Sequence, residues 1–117
     1  MLLLFSTADP LVNQQLVNEA LIRHYSLVYE VNADLMVAIA KAESNLITTA
    51  KNPTSSASGL YQWIASSWNS VCKPLGFQDV FNPKENIECA VITVKNGGLR
   101  HWNESRSIWQ FELSSPD

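Results

Sequence analysis

The sequence predicts a mainly α-helical domain with little or no β-structure. Three observations carry that expectation. Apolar residues recur at helical spacing through most of the chain, Asp9-Pro10 and Asn82-Pro83 each read as an N-cap followed by a first-turn proline, and alternating apolar and polar runs are scarce. With 117 residues the chain has the usual size of one domain and is too short for two ordinary cores. A single unit over residues 1–117 is expected, with flexible ends at 1–8 and 114–117.

After Asp9, the residues Val17, Leu21, Tyr25 and Val28 mark a first helix from about Pro10 to Ser26. Asn32 caps a second, Ala33 to Ser44, in which Leu35, Met36, Val37, Ile39 and several alanines leave most sides apolar. Such a helix belongs at the centre of the domain. From Asn45 to Ser58 the composition switches to Thr, Asn, Ser and Pro without an apolar period, which is a loop. Periodicity resumes at Leu60, and Trp63, Ile64 and Trp68 imply one or two short helices ending before Pro74 and Gly76. Asn82 and Pro83 open a further helix with Ile87, Ala90, Val91 and Val94 on one face, stopped by Gly97 and Gly98. A last short helix is expected between Ser105 and Leu113.

Composition narrows the function classes. A hydrophobic fraction of 46% with 16% charged residues belongs to a core-bearing domain and excludes disorder or a coiled coil. The formal charge is −3 and no basic run exceeds one residue, so nucleic acid is not an expected partner. No apolar stretch approaches the roughly 20 residues needed to span a bilayer, so no transmembrane segment is expected. Met1 to Phe5 is too short for a signal-peptide core, and the first basic residue is Arg23, so no export signal is read there. His24 and His101 lie in separate helical segments without partners at ligand spacing, and neither a metal nor a cofactor is expected. Cys72 and Cys89 form either one disulfide or two buried thiols. Four tryptophans in so short a chain suit either a core or a sugar-binding cleft, and Trp68 and Trp109 read as core.

Glu43 is the informative residue. Leu35, Ile39 and Glu43 fall within about 80° of one another around the second helix, so the carboxyl either turns outward to water near the helix end, as helical glutamates usually do, or extends an apolar stripe. Partial desolvation there penalises the charged form and keeps a proton available near neutrality, as a general acid requires.

Glu43 and Ser44, followed by Ser58, Gly59, Leu60, Tyr61, Gln62 and Trp63 (SGLYQW), resemble the lysozyme-like superfamily, particularly lytic transglycosylases and phage muramidases. The family's pattern is a Glu-Ser pair ending a buried helix, a polar loop, then Gly-Leu-hydrophobic-Gln. Asn86, Ile87, Cys89, Ala90, Gly98 and Trp102 are similar to its later Asn-Ile-x-x-Ala helix and its Gly and Trp positions. The resemblance runs from about Asn32 to Trp102. It implies a lysozyme-like fold whose central buried helix ends in the catalytic Glu43, and peptidoglycan glycan strands as the partner. Ser44, Ser58, Gly59, Tyr61, Gln62 and Trp63 would then contribute to a sugar cleft, with Gln62 donating to and accepting from an acetamido group.

The resemblance further implies a single-carboxyl reaction at the β-1,4 bond between N-acetylmuramic acid and N-acetylglucosamine, with a 1,6-anhydro product. No carboxylate stands between Glu43 and Asp79, where a two-carboxylate glycosidase would need one close in space. A hydrolytic muramidase is the alternative, with Asp79 or Glu30 as a remote base, and a non-catalytic glycan-binding or assembly module is the alternative of another class. The chain lacks the Ala-Tyr-Asn-Ala-Gly string that places a tyrosine over the acid in many members, leaving Tyr25, Tyr29 and Tyr61. A peptidoglycan substrate places the protein outside the cytoplasm, possible associations being a phage or a secretion system, and there the disulfide reading of Cys72 and Cys89 is favoured. A monomer is expected.

Overall fold

The computed structural model describes residues 9–114, in which five α-helices and three shorter helical turns make up the regular structure. Extended pairing among the described residues is confined to isolated antiparallel bridges, Lys51 with Ser58 and Ser58 with Trp63. The expected flexible ends and the Met1–Phe5 segment lie outside the described residues, apart from Ser114, which closes the last helix.

Helix α1 spans Pro10–Tyr29, and the Asp9 carboxylate accepts from the Leu11 N–H at 2.8 Å to cap it. It runs to Tyr29 rather than Ser26 because Glu30 supplies the stop, in the left-handed conformation at φ 59° with its N–H on the Leu27 carbonyl. A non-glycine residue in that role leaves no sign in the sequence. The inward stripe also differs from the expected one. Val17 and Val28 are exposed, while Asn18, Ile22 and Ser26 are buried. Asn18 is turned inward because its amide donates to the Leu46 carbonyl and the Thr48 hydroxyl, each at 2.9 Å, tying α1 to the loop after the next helix.

Helix α2, Ala33–Ser44, is capped by Asn32 and buries Met36, Val37, Ala38, Ile39 and Ala40 consecutively. Burial on most sides makes it the axis of the domain: α1 packs on it, and so does the C-terminal helix. Asp34, in its first turn, pairs with Arg23 at 2.9 Å across an exposed surface, a contact of small energetic weight.

Beyond the loop, α3 (Ala65–Ser67) runs into a π-helical turn, Trp68–Cys72, and a 3-10 turn, Lys73–Leu75, that ends at Gly76. Helix α4, Pro83–Lys95, is capped by Asn82, buries Ile87, Ala90 and Val91 against α1, and stops at Asn96 and Gly97. A 3-10 segment, Leu99–Ser105, leads into α5, Arg106–Ser114. Trp68 and Trp109 are both core residues, as expected.

Cys72 and Cys89 are joined, with Cα atoms 5.7 Å apart, and the bond ties the π-helical turn to α4. It closes a loop of 17 residues, so replacing both cysteines by alanine is expected to lower stability by about 3 kcal/mol in denaturant melts. An unchanged midpoint would show that the two elements are held together without it.

Candidate active site

Glu43 is the penultimate residue of α2 and emerges half-buried where the helix ends. Asn45 and Leu46, both in the left-handed region, turn the chain sharply away behind it. The carboxyl therefore sits at the end of a rigid buried rod, in a cleft of about 600 Å³. Two other segments line that cleft, the loop from Asn52 to Ser67 and the 3-10 segment from Arg100 to Glu104.

The loop is locked into tight turns. Ser58 and Trp63 exchange two backbone hydrogen bonds at 3.0 and 3.1 Å, and Gly59 N–H donates to the Ala50 carbonyl at 2.8 Å. Gly59 has φ +79°, and a Cβ there would lie 2.2 Å from the Asn86 side-chain nitrogen and 2.7 Å from the Val80 carbonyl. Only glycine fits both the conformation and the space. Asn86 is the hub: buried on α4, it accepts from Tyr61 N–H at 2.9 Å and donates to the carbonyls of Val80 at 2.7 Å and Ser58 at 3.3 Å. Its own carbonyl accepts from the Trp63 indole at 3.3 Å.

Tyr61 links the loop to both neighbouring walls. Fully buried, it donates its hydroxyl to the Met36 carbonyl of α2 at 2.7 Å and accepts the Trp102 indole N–H on its own carbonyl at 2.9 Å. Burial holds the phenol well above its ordinary pKa, so it serves as a neutral donor. Trp63, His101 and Trp102 cluster with ring centroids 5.4 to 5.7 Å apart.

Desolvation at the end of α2 raises the Glu43 pKa above the usual carboxylate range, a Ser105 hydroxyl donating to Oε2 at 2.6 Å opposes that rise, and the charge of Glu104 adds to it. The net direction is upward, which favours the protonated carboxyl. No tyrosine hydrogen-bonds Glu43 among the described residues: Tyr61 is committed to Met36, Tyr29 donates to Glu88, and Tyr25 stacks edge-on against His24. Ser105 occupies the place beside the acid instead.

Of the residues singled out in the sequence, Tyr61, Gln62 and Trp63 line the cleft with Glu43. Ser44, Ser58 and Gly59 do not. Ser44 bonds back to the Ala40 carbonyl at 3.0 Å, Ser58 donates to the Ser56 carbonyl at 2.8 Å and borders a separate hollow with Trp68, and Gly59 packs on Asn86. Trp63 is 3% exposed, so its ring is part of the cleft floor and of the core at once. Gln62 stands at φ 52° and donates its amide to the Ala50 and Gly59 carbonyls at 3.1 and 3.0 Å. Only its oxygen is left to accept from a ligand.

Sequence reading missed Glu104 and Ser105, because neither belongs to a periodic pattern or a recognised string. Glu30 and Asp79, the carboxylates considered as remote bases, lie away from the cleft: Glu30 ends α1 opposite Lys95, and Asp79 accepts from the Phe81 N–H at 2.9 Å. His101, which the sequence leaves without partners at ligand spacing, is exposed on the cleft wall. The described residues hold no group of three or more His, Cys, Asp or Glu suited to a metal, and none of their helices is long and apolar enough to cross a membrane.

A family model described as Transglycosylase SLT domain matches residues 20–105. Probable transglycosylase SceD of Staphylococcus aureus (strain Newman) is 40% identical over 75 residues, covering 62% of this chain and 32% of that protein. The protein of the same name from strain bovine RF122 / ET3-1 is 38% identical over 72 residues, covering 59% of this chain and 31% of its own length. The chain spans about a third of the length of the curated relatives it matches. No solved structure matches it.

Proposed function

Since the chain belongs to the transglycosylase SLT domain family of the lysozyme-like superfamily, we propose that it is a catalytic domain cleaving the β-1,4 bond between N-acetylmuramic acid and N-acetylglucosamine in peptidoglycan. The observation that carries this reading is Glu43, a half-buried carboxyl of raised pKa at the end of a buried helix in a polar and aromatic cleft.

Protonated Glu43 gives its proton to the glycosidic oxygen as the bond from that oxygen to C1 breaks. The acetamido oxygen of the muramoyl residue stabilises the positive charge developing at C1. Glu43, now a carboxylate, takes the proton from the 6-hydroxyl of the same sugar, whose oxygen bonds to C1 and displaces the acetamido oxygen. A 1,6-anhydro ring results, no water is consumed, and Glu43 is again protonated. One group thus serves as acid and then as base, a role suited to a carboxyl whose pKa is raised by burial.

Glu104 favours a second reading. Its carboxylate borders the same cleft and could activate water as the base of a hydrolytic muramidase. With peptidoglycan as substrate, either enzyme works outside the cytoplasm, where the bond between Cys72 and Cys89 stays oxidised.

Incubation with purified peptidoglycan tests the proposal. Soluble muropeptides are expected, and their rate of release should decline as pH rises through the raised Glu43 pKa, because the first step needs the proton. Retention of the chain on peptidoglycan with no release of fragments would favour a silent binding module.

A further inference from the structure

We propose that Ser105 is a positioning residue that holds Glu43 in both of its protonation states, by switching the acceptor of its own hydroxyl proton. The inference rests on the reading of Glu43 as the acid and base.

The Ser105 oxygen lies 2.6 Å from Glu43 Oε2 and 3.3 Å from the Trp102 carbonyl oxygen. A serine hydroxyl has one proton to give and lone pairs to receive one. When Glu43 is ionised, Ser105 donates to the carboxylate. When Glu43 is protonated, the carboxylic acid donates to Ser105, and Ser105 turns its proton to the Trp102 carbonyl. Both arrangements satisfy every group without moving a heavy atom, and an acid that must become a base within one turnover needs such a partner.

The second acceptor is itself fixed. The backbone leaves helical geometry at Trp102, at φ −113° and ψ 25°, and the Trp102 carbonyl also accepts from the Trp109 indole at 3.1 Å. The Trp102 indole is anchored on Tyr61, and Tyr61 on Met36 of α2, seven residues before Glu43 on the same helix. Acid and partner are thus the two ends of one hydrogen-bonded frame running through buried aromatic residues.

Among the described residues the Ser105 hydroxyl bonds Glu43 and the Trp102 carbonyl, and it bonds none of the other titratable or charged groups nearby. Arg100, His101 and Glu104 line the cleft, Arg106 donates to Asn103 and lies over Trp109, Lys41 and Glu112 face each other between α2 and α5, and Arg23 of α1 pairs with both Glu19 and Asp34. A change in the pH profile of a Ser105 variant is therefore a change at Glu43 itself.

The experiment compares wild type with Ser105→Ala, Ser105→Thr and Glu43→Gln on purified peptidoglycan across pH, with thermal melts as a control for folding. Ser105→Ala is expected to lower kcat about tenfold or more with little change in KM, and to move the alkaline limb of the profile to higher pH, since the donor that favours the carboxylate is gone. Ser105→Thr should restore both. A Ser105→Ala protein with an unaltered profile, or a slowed one whose limb stays in place and is not rescued by threonine, would overturn the inference while an inactive Glu43→Gln left the proposed function standing. A fully active Glu43→Gln protein would overturn both.

Discussion

Glu43→Gln is expected to lower the release of muropeptides by about 10³-fold, because the same carboxyl gives the first proton and takes the second, and amide chemistry allows neither. Folding should survive. The carboxamide keeps the shape of the side chain and can still accept from Ser105. Stability should in fact hold or rise above the Glu43 pKa. The native Glu43 pKa is raised above its unfolded value, so the folded state binds the proton more tightly. Its stabilising share is present below the unfolded pKa and is lost as pH rises through the folded one. Above the raised pKa the wild type carries the cost of a partly desolvated carboxylate, and glutamine does not. A residual rate close to wild type, measured on purified peptidoglycan, would remove Glu43 from the chemistry.

Asn86→Ala is expected to be the most damaging change away from the acid. The buried amide satisfies Tyr61 N–H and the carbonyls of Ser58 and Val80, and alanine leaves the buried Tyr61 N–H and the half-buried Val80 carbonyl without that partner, while the Ser58 carbonyl keeps its bond from Trp63 N–H. Each orphaned group costs about 1–3 kcal/mol, so a loss of about 3–5 kcal/mol in denaturant melts is expected, a large part of a domain's usual 5–15 kcal/mol. The cleft should loosen with it, since Tyr61 is the joint between the loop, α2 and Trp102. A loss below about 1 kcal/mol would mean that the loop holds its shape without the hub.

The helices were legible wherever the chain announces them with a polar cap, a following proline or an apolar run, as at Asp9, Asn32 and Asn82. Boundaries made by non-glycine residues in left-handed geometry, such as Glu30, carry no such announcement. The inward turn of Asn18 was hidden for a related reason, since a polar residue is read as outward until its partners Leu46 and Thr48 are known. At the site, Glu43 could be found because its place on an apolar helical stripe coincides with the Glu-Ser pair and the later SGLYQW string. Ser105 and Glu104 could not, because they reach it from 62 and 61 residues away through a fold that no local pattern encodes. The carboxylate-free interval after Glu43 is real in sequence, but the cleft itself contains Glu104, so the interval says less about mechanism than its length suggests.

Mass analysis of the muropeptides released from purified peptidoglycan decides between the chemistries. A reaction run by Glu43 alone, with the sugar's own 6-hydroxyl as nucleophile, yields anhydro-muropeptides one water lighter than hydrolysed fragments and free of label when the digestion is run in oxygen-18 water. Fragments with reducing ends that carry the heavy oxygen would contradict it and assign the attacking water to a second group, with Glu104 the carboxylate at hand.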